Sequence, residues 1–400
     1  MRKILVPDTA DRTADAVVIG GGIVGVATAY FLSKSGLDTV LVESRDGLGT
    51  LTTGASAECF RAQFTEPAIV PLALESIDFF EHFAERIGLP GHEIHLRKRG
   101  YLFITDDAGM LPQLEAAIAE QHRLGVPDSE FLTGEETRKR FPYLSPEVQG
   151  ATFRQNDGWL SVHELTQGFA KASDARFHVR TKVTDILTDG DGGAVSGVVT
   201  DRGTISTRTV VDAAGPFAGV ISKMVGVDLP LEPVLRQKVF VTSEGIPPEA
   251  PFTVNLVNGS YWRPEPGGAL VGWVNPDEPA SPPMANPTGD WDFPAMALDK
   301  VRQLSPFWDE IIENLKKNDL SVSAGQYVYT PDQQPIIGPT EVPGFHVNCG
   351  YWIGVMVSPG VGRLCADLVT GKKDNADNPL RPSRFAEGET AAGGSFLSGH

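Results

Sequence analysis

Residues 16–43 read AVVIGGGIVGVATAYFLSKSGLDTVLVE, and this stretch decides the fold of the chain. Residues 16–19 are apolar, rich in β-branched side chains and followed by glycine, which predicts a buried strand. Residues 23–35 then carry apolar side chains at helical spacing, and residues 39–42 repeat the strand pattern. The sequence therefore predicts a β-α-β unit of the dinucleotide-binding type and an α/β fold.

Three glycines between the first predicted strand and the helix form a G-x-G-x-x-G motif. Gly20 allows a tight turn, Gly22 lets the backbone approach a pyrophosphate, and Gly25 lets the helix pack closely on the strand. The free N–H groups and the dipole at the helix start favour a bound phosphate. Glu43 follows the second strand, where it can accept hydrogen bonds from ribose hydroxyls. In this context the motif indicates a dinucleotide site rather than an ordinary glycine-rich turn.

The composition is that of a soluble globular protein with enough chain for two domains. Of the 400 residues, 41% are hydrophobic and 21% are charged, and the formal net charge is -17. Such a charge disfavours general binding to nucleic acids or anionic membranes. No run approaches the ~18 apolar residues of a membrane helix, residues 1–13 hold no signal-peptide core, and the three cysteines form no metal-ligand cluster. We therefore expect a cytoplasmic protein without a metal site.

Strand-rich segments separate the nucleotide-binding signals along the chain. Residues 94–105 resemble a β-hairpin, residues 176–211 a strand meander, and the Pro-, Asn- and Gly-rich residues 276–294 a surface loop. Two interleaved, discontinuous domains account for this order. The predicted limits are 14–90, 150–228 and 322–385 for the cofactor domain, 91–149 and 229–321 for the substrate domain, and 386–400 for a disordered tail.

Four stretches together resemble the D-amino acid oxidase (DAO) family of FAD-dependent oxidoreductases. They are residues 16–43, VVDAAGPFA at 210–218, YVYTPDQQPIIG at 327–338, and NCGYWIGVMVSPGVGRLCADLVTG at 348–371. The chain looks most similar to the branch of sarcosine oxidase, glycine oxidase and dimethylglycine dehydrogenase. This resemblance implies a glutathione-reductase-like Rossmann FAD-binding domain interleaved with an α+β substrate domain on a mixed or antiparallel sheet.

The resemblance also implies a bound FAD and assigns residues to it. Sarcosine oxidase-like members attach the flavin to a cysteine whose place is taken here by Gly325, so we expect non-covalent FAD. The residues assigned to the cofactor are Gly20, Gly22, Ile23, Val24, Gly25, Glu43, Ser44, Arg45, Gly54, Ala55, Ser56, Val183, Ala214, Gly215, Gly350, Gly354, Val355 and Met356.

On the substrate side, the resemblance assigns catalytic positions to Arg61, Arg263, Tyr261 and Tyr327. Either arginine can hold a substrate carboxylate through two hydrogen bonds, and a structural salt bridge is the alternative for each. Relatives of the sarcosine oxidase type carry lysines where this chain has Leu270 and Met356. These replacements argue against direct oxidase activity and against sarcosine as the substrate.

The resulting hypothesis is an FAD-dependent dehydrogenase or oxidase for an amine or N-substituted amino acid. Hydride passes from the α-carbon of the substrate to flavin N5, and the imine product hydrolyses. The electron acceptor is oxygen or a redox partner. Three alternatives stay open: a 2-hydroxy-acid dehydrogenase, a catalytically silent FAD-binding regulatory subunit, and a plain NAD-binding protein.

Overall fold

The computed structural model describes residues 4–190 and 193–389, with strands and helices numbered here in chain order. Within these residues a seven-stranded sheet is built on the predicted β-α-β unit. Its neighbouring strands are parallel, except that the last strand is antiparallel to its neighbour. In spatial order they are β1 (Ile4–Leu5), β9 (Arg176–His178), β3 (Thr39–Val42), β2 (Ala16–Ile19), β13 (Val210–Asp212), β20 (Phe345–Cys349) and β19 (Ile336–Pro339).

The second large sheet has eight strands among the described residues and is mixed. Its neighbours are antiparallel except for one parallel pair, β15 with β5. In spatial order the strands are β18 (Leu320–Tyr329), β14 (Glu232–Thr242), β17 (Gly268–Trp273), β16 (Ser260–Glu265), β15 (Phe252–Asn255), β5 (Tyr101–Thr105), β7 (Gly150–Arg154) and β6 (Glu130–Thr133). The α/β class and the mixed second sheet are thus confirmed.

Two strands of the second sheet lie in sequence segments that were assigned to the cofactor domain. β7 pairs with β5 and β6, and β18 pairs with β14 along ten positions from Glu232 to Val241. The predicted limit at 150 coincides with the first residue of β7, and the predicted limit at 322 lies within β18. Strand pairing over long sequence distances leaves no local signal in the sequence. The domain limits stay a prediction.

Two smaller sheets contain the remaining strands of the part of the chain that the structure describes. One joins β4 (Cys59–Phe60) to β8 (Gly158–Trp159), and the other contains β10 (Val183–Thr188), β11 (Val195–Thr200) and β12 (Gly203–Ser206). The predicted hairpin over 94–105 is wrong. Arg97 makes a bridge to Trp159, and positive φ angles of 51° at His95 and 93° at Gly100 turn the backbone out of an extended hairpin arm.

The helices are amphipathic or buried and pack around both sheets. Among the described residues they are α1 (Ile23–Lys34), α2 (Val70–Glu81), α3 (Phe83–Arg86), α4 (Leu111–Arg123), α5 (Gly134–Arg140), α6 (Val162–Ala172), α7 (Ala218–Ser222), α8 (Phe293–Val301), α9 (Trp308–Asn314), α10 (Gly354–Val369) and α11 (Arg384–Glu387). None of these helices is both long enough and apolar enough to cross a bilayer. Of the predicted tail, residues 386 and 387 belong to α11, and residues 390–400 lie outside the described residues.

Close contact between α1 and α10 fixes the helix layer over the first sheet. A Cβ at Gly362 of α10 would lie 2.9 Å from the backbone carbon of Ala27 in α1, so glycine permits the approach. Asn348, at the end of β20, donates to Thr28 Oγ1 at 3.0 Å and ties the sheet to α1. The starts of α1 and α10 are thereby held on the same side of the sheet.

Candidate functional site

A cavity of about 520 Å³ lies at the carboxyl ends of β2, β3 and β13 and extends to β18 of the second sheet. In parallel α/β sheets this edge is where ligands bind. The structure brings together most of the predicted site residues in its wall. Those that line the cavity are Gly20, Gly22, Ile23, Val24, Glu43, Ser44, Arg45, Ser56, Val183, Ala214, Gly215, Tyr327, Gly354, Val355 and Met356.

Four predicted cofactor residues stand behind the lining and shape it. A Cβ at Gly25 would lie 2.0 Å from the carbonyl oxygen of Gly20, so Gly25 serves the contact between α1 and the turn. A Cβ at Gly54 would lie 2.9 Å from the carbonyl oxygen of Gly49. Gly350 has a φ of +77°, and Ala55 packs against Gly325 of β18. These residues shape the backbone behind the lining, and their assignment to the cofactor stays a prediction.

We call the part of the cavity formed by residues 20–24 and Glu43 the glycine-loop end. Gly20 has a φ of +111°, and a Cβ there would lie 2.5 Å from the carbonyl oxygen of Ala213. The Glu43 carboxylate accepts hydrogen bonds from the backbone of Gly21 at 2.6 Å and of Arg45 at 2.7 Å. α1 begins directly at this wall, where its first N–H groups and positive dipole favour an anion. The residues present therefore fit a dinucleotide pyrophosphate with an adjacent ribose.

The predicted surface loop over 276–294 reaches this cavity. Ala285 and Asn286 line it, and Arg45 donates to the Ala285 carbonyl at 2.5 Å and to Asn286 Oδ1 at 3.2 Å. Gln326 of β18 fixes the preceding residues, accepting from Met284 N at 2.7 Å and donating to Ser281 Oγ at 3.0 Å. We call residues 281–286 the strap. Sequence reasoning missed its role because its partners are distant along the chain.

We call the opposite part of the cavity, lined by Glu58, Cys59, Tyr327 and Trp352, the aromatic end. Its titratable groups are strongly affected by burial. Burial raises the pKa of Cys59 to about 11 and holds the pKa of Tyr327 well above its usual value. Thiol and phenol at this end therefore stay protonated at neutral pH.

Arg61 is fully buried next to the aromatic end, but it does not line the cavity. Its guanidinium carbon lies 4.5 Å from the Phe64 ring centroid, 4.8 Å from that of Phe103 and 5.8 Å from that of Trp352. Trp352 does line the cavity, so the cation stands directly behind the wall. Cation–π contacts of this kind hold a buried guanidinium in place.

The segment after β4 that carries Arg61 is tied to the second sheet by a buried carboxylate. Asp157 accepts from Ala62 N at 2.9 Å and from the Gln63 side chain at 3.2 Å. Arg154 donates to the same carboxylate at 2.5 Å. β4 pairs with β8 next to this contact. The position of Arg61 is therefore set by residues almost a hundred positions away, which sequence reasoning did not identify.

Arg263 is also fully buried, and its guanidinium forms ion pairs with two carboxylates. It pairs with Glu58 at 3.3 Å, with Glu265, and with the Ala57 carbonyl at 3.1 Å. Arg263 does not line the cavity. This arrangement is the structural salt bridge that the sequence left open for Arg263.

The two predicted tyrosines are separated by the wall of the cavity. Tyr327 lines the aromatic end, whereas Tyr261 lies behind it and stacks on Phe252 with ring centroids 5.5 Å apart. A Cβ at Gly272 would lie 2.1 Å from the Tyr261 ring. Glycine at that position therefore makes room for the tyrosine. Tyr261 contributes to the second sheet and the packing below the site.

Comparisons with known proteins agree with this architecture. Residues 15–368 match the model of the DAO family, described as FAD dependent oxidoreductase. L-Proline dehydrogenase from P. horikoshii superposes with a TM-score of 0.83 at 28% identity, covering 96% of this chain and all of that one. Glycine oxidase of Bacillus subtilis is 27% identical over 384 residues, which are 92% of this chain and 95% of that protein.

Longer relatives extend beyond this chain. Mitochondrial dimethylglycine dehydrogenase of Mus musculus is 26% identical over 412 residues, which cover 96% of this chain but 45% of the relative. The chain thus spans about half the length of that relative.

Proposed function

We propose, on the premise that this chain belongs to the DAO family of FAD-dependent oxidoreductases, that it oxidises the C–N bond of an amine or N-substituted amino acid. The cofactor of the family is FAD, and its members are enzymes. The observation that carries the proposal is that one cavity connects the glycine-loop end, which fits a dinucleotide, to the aromatic end, which lies next to buried charged side chains.

In this proposal the glycine-loop end holds the FAD pyrophosphate at the start of α1, and Glu43 holds the ribose. The start of α10 lies in the same wall as Tyr327 and Trp352 and would contact the flavin ring in this proposal. FAD supplies the hydride acceptor for the reaction. Non-covalent binding is supported by Gly325, which packs against Thr52 and Ala55 and carries no reactive side chain.

The aromatic end would orient the substrate. We propose Arg61 as the source of positive potential for a substrate carboxylate, because its cation stands behind Trp352. Tyr327 and Trp352 would exclude water from the reacting carbon while the α-hydrogen is removed. Arg263 does not line the cavity and forms ion pairs with Glu58 and Glu265, which supports a structural role for it.

The test is an anaerobic screen of amines, N-methyl amino acids and 2-hydroxy acids that follows the flavin absorbance. Reduction by an amine, with an aldehyde or keto acid and a smaller amine or ammonia as products, is the expected result. Reduction by hydroxy acids alone would replace the amine assignment by an alcohol one. An FAD protein that no compound reduces would indicate a regulatory subunit, and a colourless protein would contradict FAD binding.

Arg61→Ala tests the electrostatic role of Arg61. We expect kcat/KM for an acidic amine substrate to fall by the equivalent of about 2–4 kcal/mol, because a positive charge near the substrate carboxylate is lost, while FAD stays bound. A substrate analogue without the carboxylate is the matched comparison and should lose little. Equal losses for both substrates would contradict an electrostatic role for Arg61.

We further propose that the electron acceptor is a redox partner rather than oxygen, in a cytoplasmic setting. Leu270 is apolar and lies opposite Arg263 in the β16–β17 pair, so it adds no cation to stabilise superoxide. The three cysteines are free thiols, which suits a reducing compartment. Stopped-flow reoxidation should be faster with an artificial acceptor dye than with air. Comparable rates would overturn the dehydrogenase assignment.

A further inference from the structure

Glu58 is a carboxylate in the wall of the aromatic end, and its backbone is held in an unusual conformation. Its φ is 60°, a region that L-residues other than Asn and Asp rarely adopt. The conformation is fixed on both sides, because Glu58 N donates to Ser56 Oγ at 3.3 Å and Leu160 N donates to the Glu58 carbonyl at 3.0 Å. Conformations of this kind cluster at functional sites.

Charged and polar groups surround the Glu58 side chain from three elements. Arg263 and Glu265 face it from β16, and Lys238 faces it from β14, where the Lys238 ammonium donates to the Ser56 carbonyl. The backbone of Val162, at the start of α6, hydrogen-bonds to the carboxylate. Burial raises the pKa of Glu58, while Arg263 and Lys238 oppose that shift. About a quarter of the side chain stays exposed, on a residue that lines the cavity.

The other titratable groups lining this end are unsuited to accept a proton at neutral pH. Cys59, Tyr327 and Tyr351 all have a pKa raised by burial and keep their own protons. Lys238 is buried beside them, and burial lowers its pKa to about 8. At neutral pH it therefore remains mostly a cation. Among the described residues that line this end, Glu58 is the carboxyl group, a side-chain type whose ordinary pKa lies below neutrality.

We propose that the Glu58 carboxylate accepts the proton of the substrate ammonium before the hydride leaves. This inference rests on the proposed function, since it assigns the base for an amine substrate. The N–H bond breaks and its electron pair stays on nitrogen, while the proton forms a bond to a Glu58 oxygen. Bound FAD would supply the two-electron oxidant for the neutral amine, and Glu58 then returns its proton to water.

Glu58→Gln tests the assignment, and Glu265→Gln is the matched control. Both glutamates pair with Arg263 with equal side-chain exposure, but Glu265 does not line the cavity. The measurement is the rate of anaerobic flavin reduction by the best amine between pH 6 and pH 10. In Glu58→Gln we expect a loss of about 100-fold at pH 7 that recovers towards alkaline pH, where solvent deprotonates the amine. Glu265→Gln should follow the parent profile.

A second readout does not depend on turnover. Binding of tert-butylamine, which has no α-hydrogen, is measured by calorimetry in buffers of different ionisation enthalpy. The parent should release no proton to the buffer, whereas Glu58→Gln should release about one per amine bound, because the carboxylate that receives it is gone. FAD content and thermal midpoint identify a variant that is merely misfolded.

The outcomes separate this inference from the proposed function. If no amine reduces the flavin of the parent enzyme, the proposed function fails and the assignment falls with it. If amines reduce the flavin but Glu58→Gln keeps the parent pH profile and proton count, the assignment alone is wrong. The same holds if Lys238→Met, rather than Glu58→Gln, loses the rate at pH 7 and regains it at alkaline pH.

Discussion

The glycine-loop end and the aromatic end of the cavity are built by different physical means. At the glycine-loop end, a Cβ added at Gly25 or Gly20 would lie 2.0 Å or 2.5 Å from a backbone carbonyl oxygen. The Glu43 carboxylate accepts a hydrogen bond from the backbone of Gly21, 22 residues earlier in the chain. At the aromatic end, charged side chains such as Arg263 are removed from water and paired over 205 residues with Glu58. One end depends on steric fit, and the other depends on electrostatic balance.

This contrast predicts which changes each end tolerates. A methyl group added at the glycine-loop end has no space, although it changes no charge. Removing a charged side chain at the aromatic end leaves space, but its buried partners lose their ion pair. The comparison can therefore be tested by substitutions of opposite kinds, and the expected effects decrease in the order given below.

The largest effect is expected for Gly25→Ala. The new Cβ would lie 2.0 Å from the Gly20 carbonyl oxygen, so α1 must move away from the turn that holds the pyrophosphate. We expect the variant to purify with almost no FAD. The ratio of the absorbances at 450 and 280 nm measures the FAD content. Gly219→Ala is the control, because its Cβ meets no atom within 4 Å. A yellow Gly25→Ala protein would contradict the steric account.

Arg263→Gln should produce the next largest effect, on stability rather than on substrate binding. The change leaves Glu58 and Glu265 without their shared cation, which costs about 3–5 kcal/mol for a buried pair. Denaturant unfolding of the holoenzyme measures this loss. Arg363→Gln, at a half-exposed pair with Glu75, is the control and should lose about 1 kcal/mol or less. Full stability with a raised KM would instead favour Arg263 as a substrate anchor.

Asp212 places a titratable group below the glycine-loop end. Burial raises its pKa to about 7, and the carboxyl accepts from Ala214 N at 3.0 Å and from Ser222 Oγ at 2.8 Å. Because the folded-state pKa lies above the unfolded one, the stability that Asp212 contributes is full below about pH 4 and is lost as the pH rises through about 7. The loss amounts to about 2–4 kcal/mol.

Asp212→Asn should remove this pH dependence. The difference in unfolding free energy between variant and parent should shift in favour of the variant by about 2–4 kcal/mol between pH 4 and pH 7.5. The measurement is urea unfolding at both pH values, with Asp374→Asn as an exposed control. A difference that does not change with pH would show that Asp212 titrates normally.

Gln326→Ala should give the smallest of these effects, on cofactor release. Gln326 is buried and holds the strap through Met284, Ser281 and Pro282, so its loss loosens residues that cover the cavity. The rate of FAD release, followed by flavin fluorescence, should rise by the equivalent of about 1–2 kcal/mol. Gln237→Ala, which frees Asp290 further along the same loop, should change it less. Equal rates for parent and Gln326→Ala would mean that the strap does not retain FAD.

The sequence alone determined the β-α-β unit, the FAD cofactor and part of the cavity lining. Ala16–Ile19 and Thr39–Val42 form strands with the predicted limits, and the predicted helix over 23–35 is observed from Ile23 to Lys34. These features depend on contacts within about one β-α-β unit, whose periodicity and glycine positions are local. The resemblance to the DAO family then identified the later stretches that reach the same cavity.

Tertiary structure decided what the buried charges do. Arg61 and Arg263 have equivalent claims in the sequence, yet Arg61 lies among aromatic rings and Arg263 between two carboxylates. Glu58 has no sequence signal, because only the fold places it in the cavity wall and beside Lys238. The electrostatic role of a side chain depends on its burial and its partners, and those come from strands that pair over hundreds of residues.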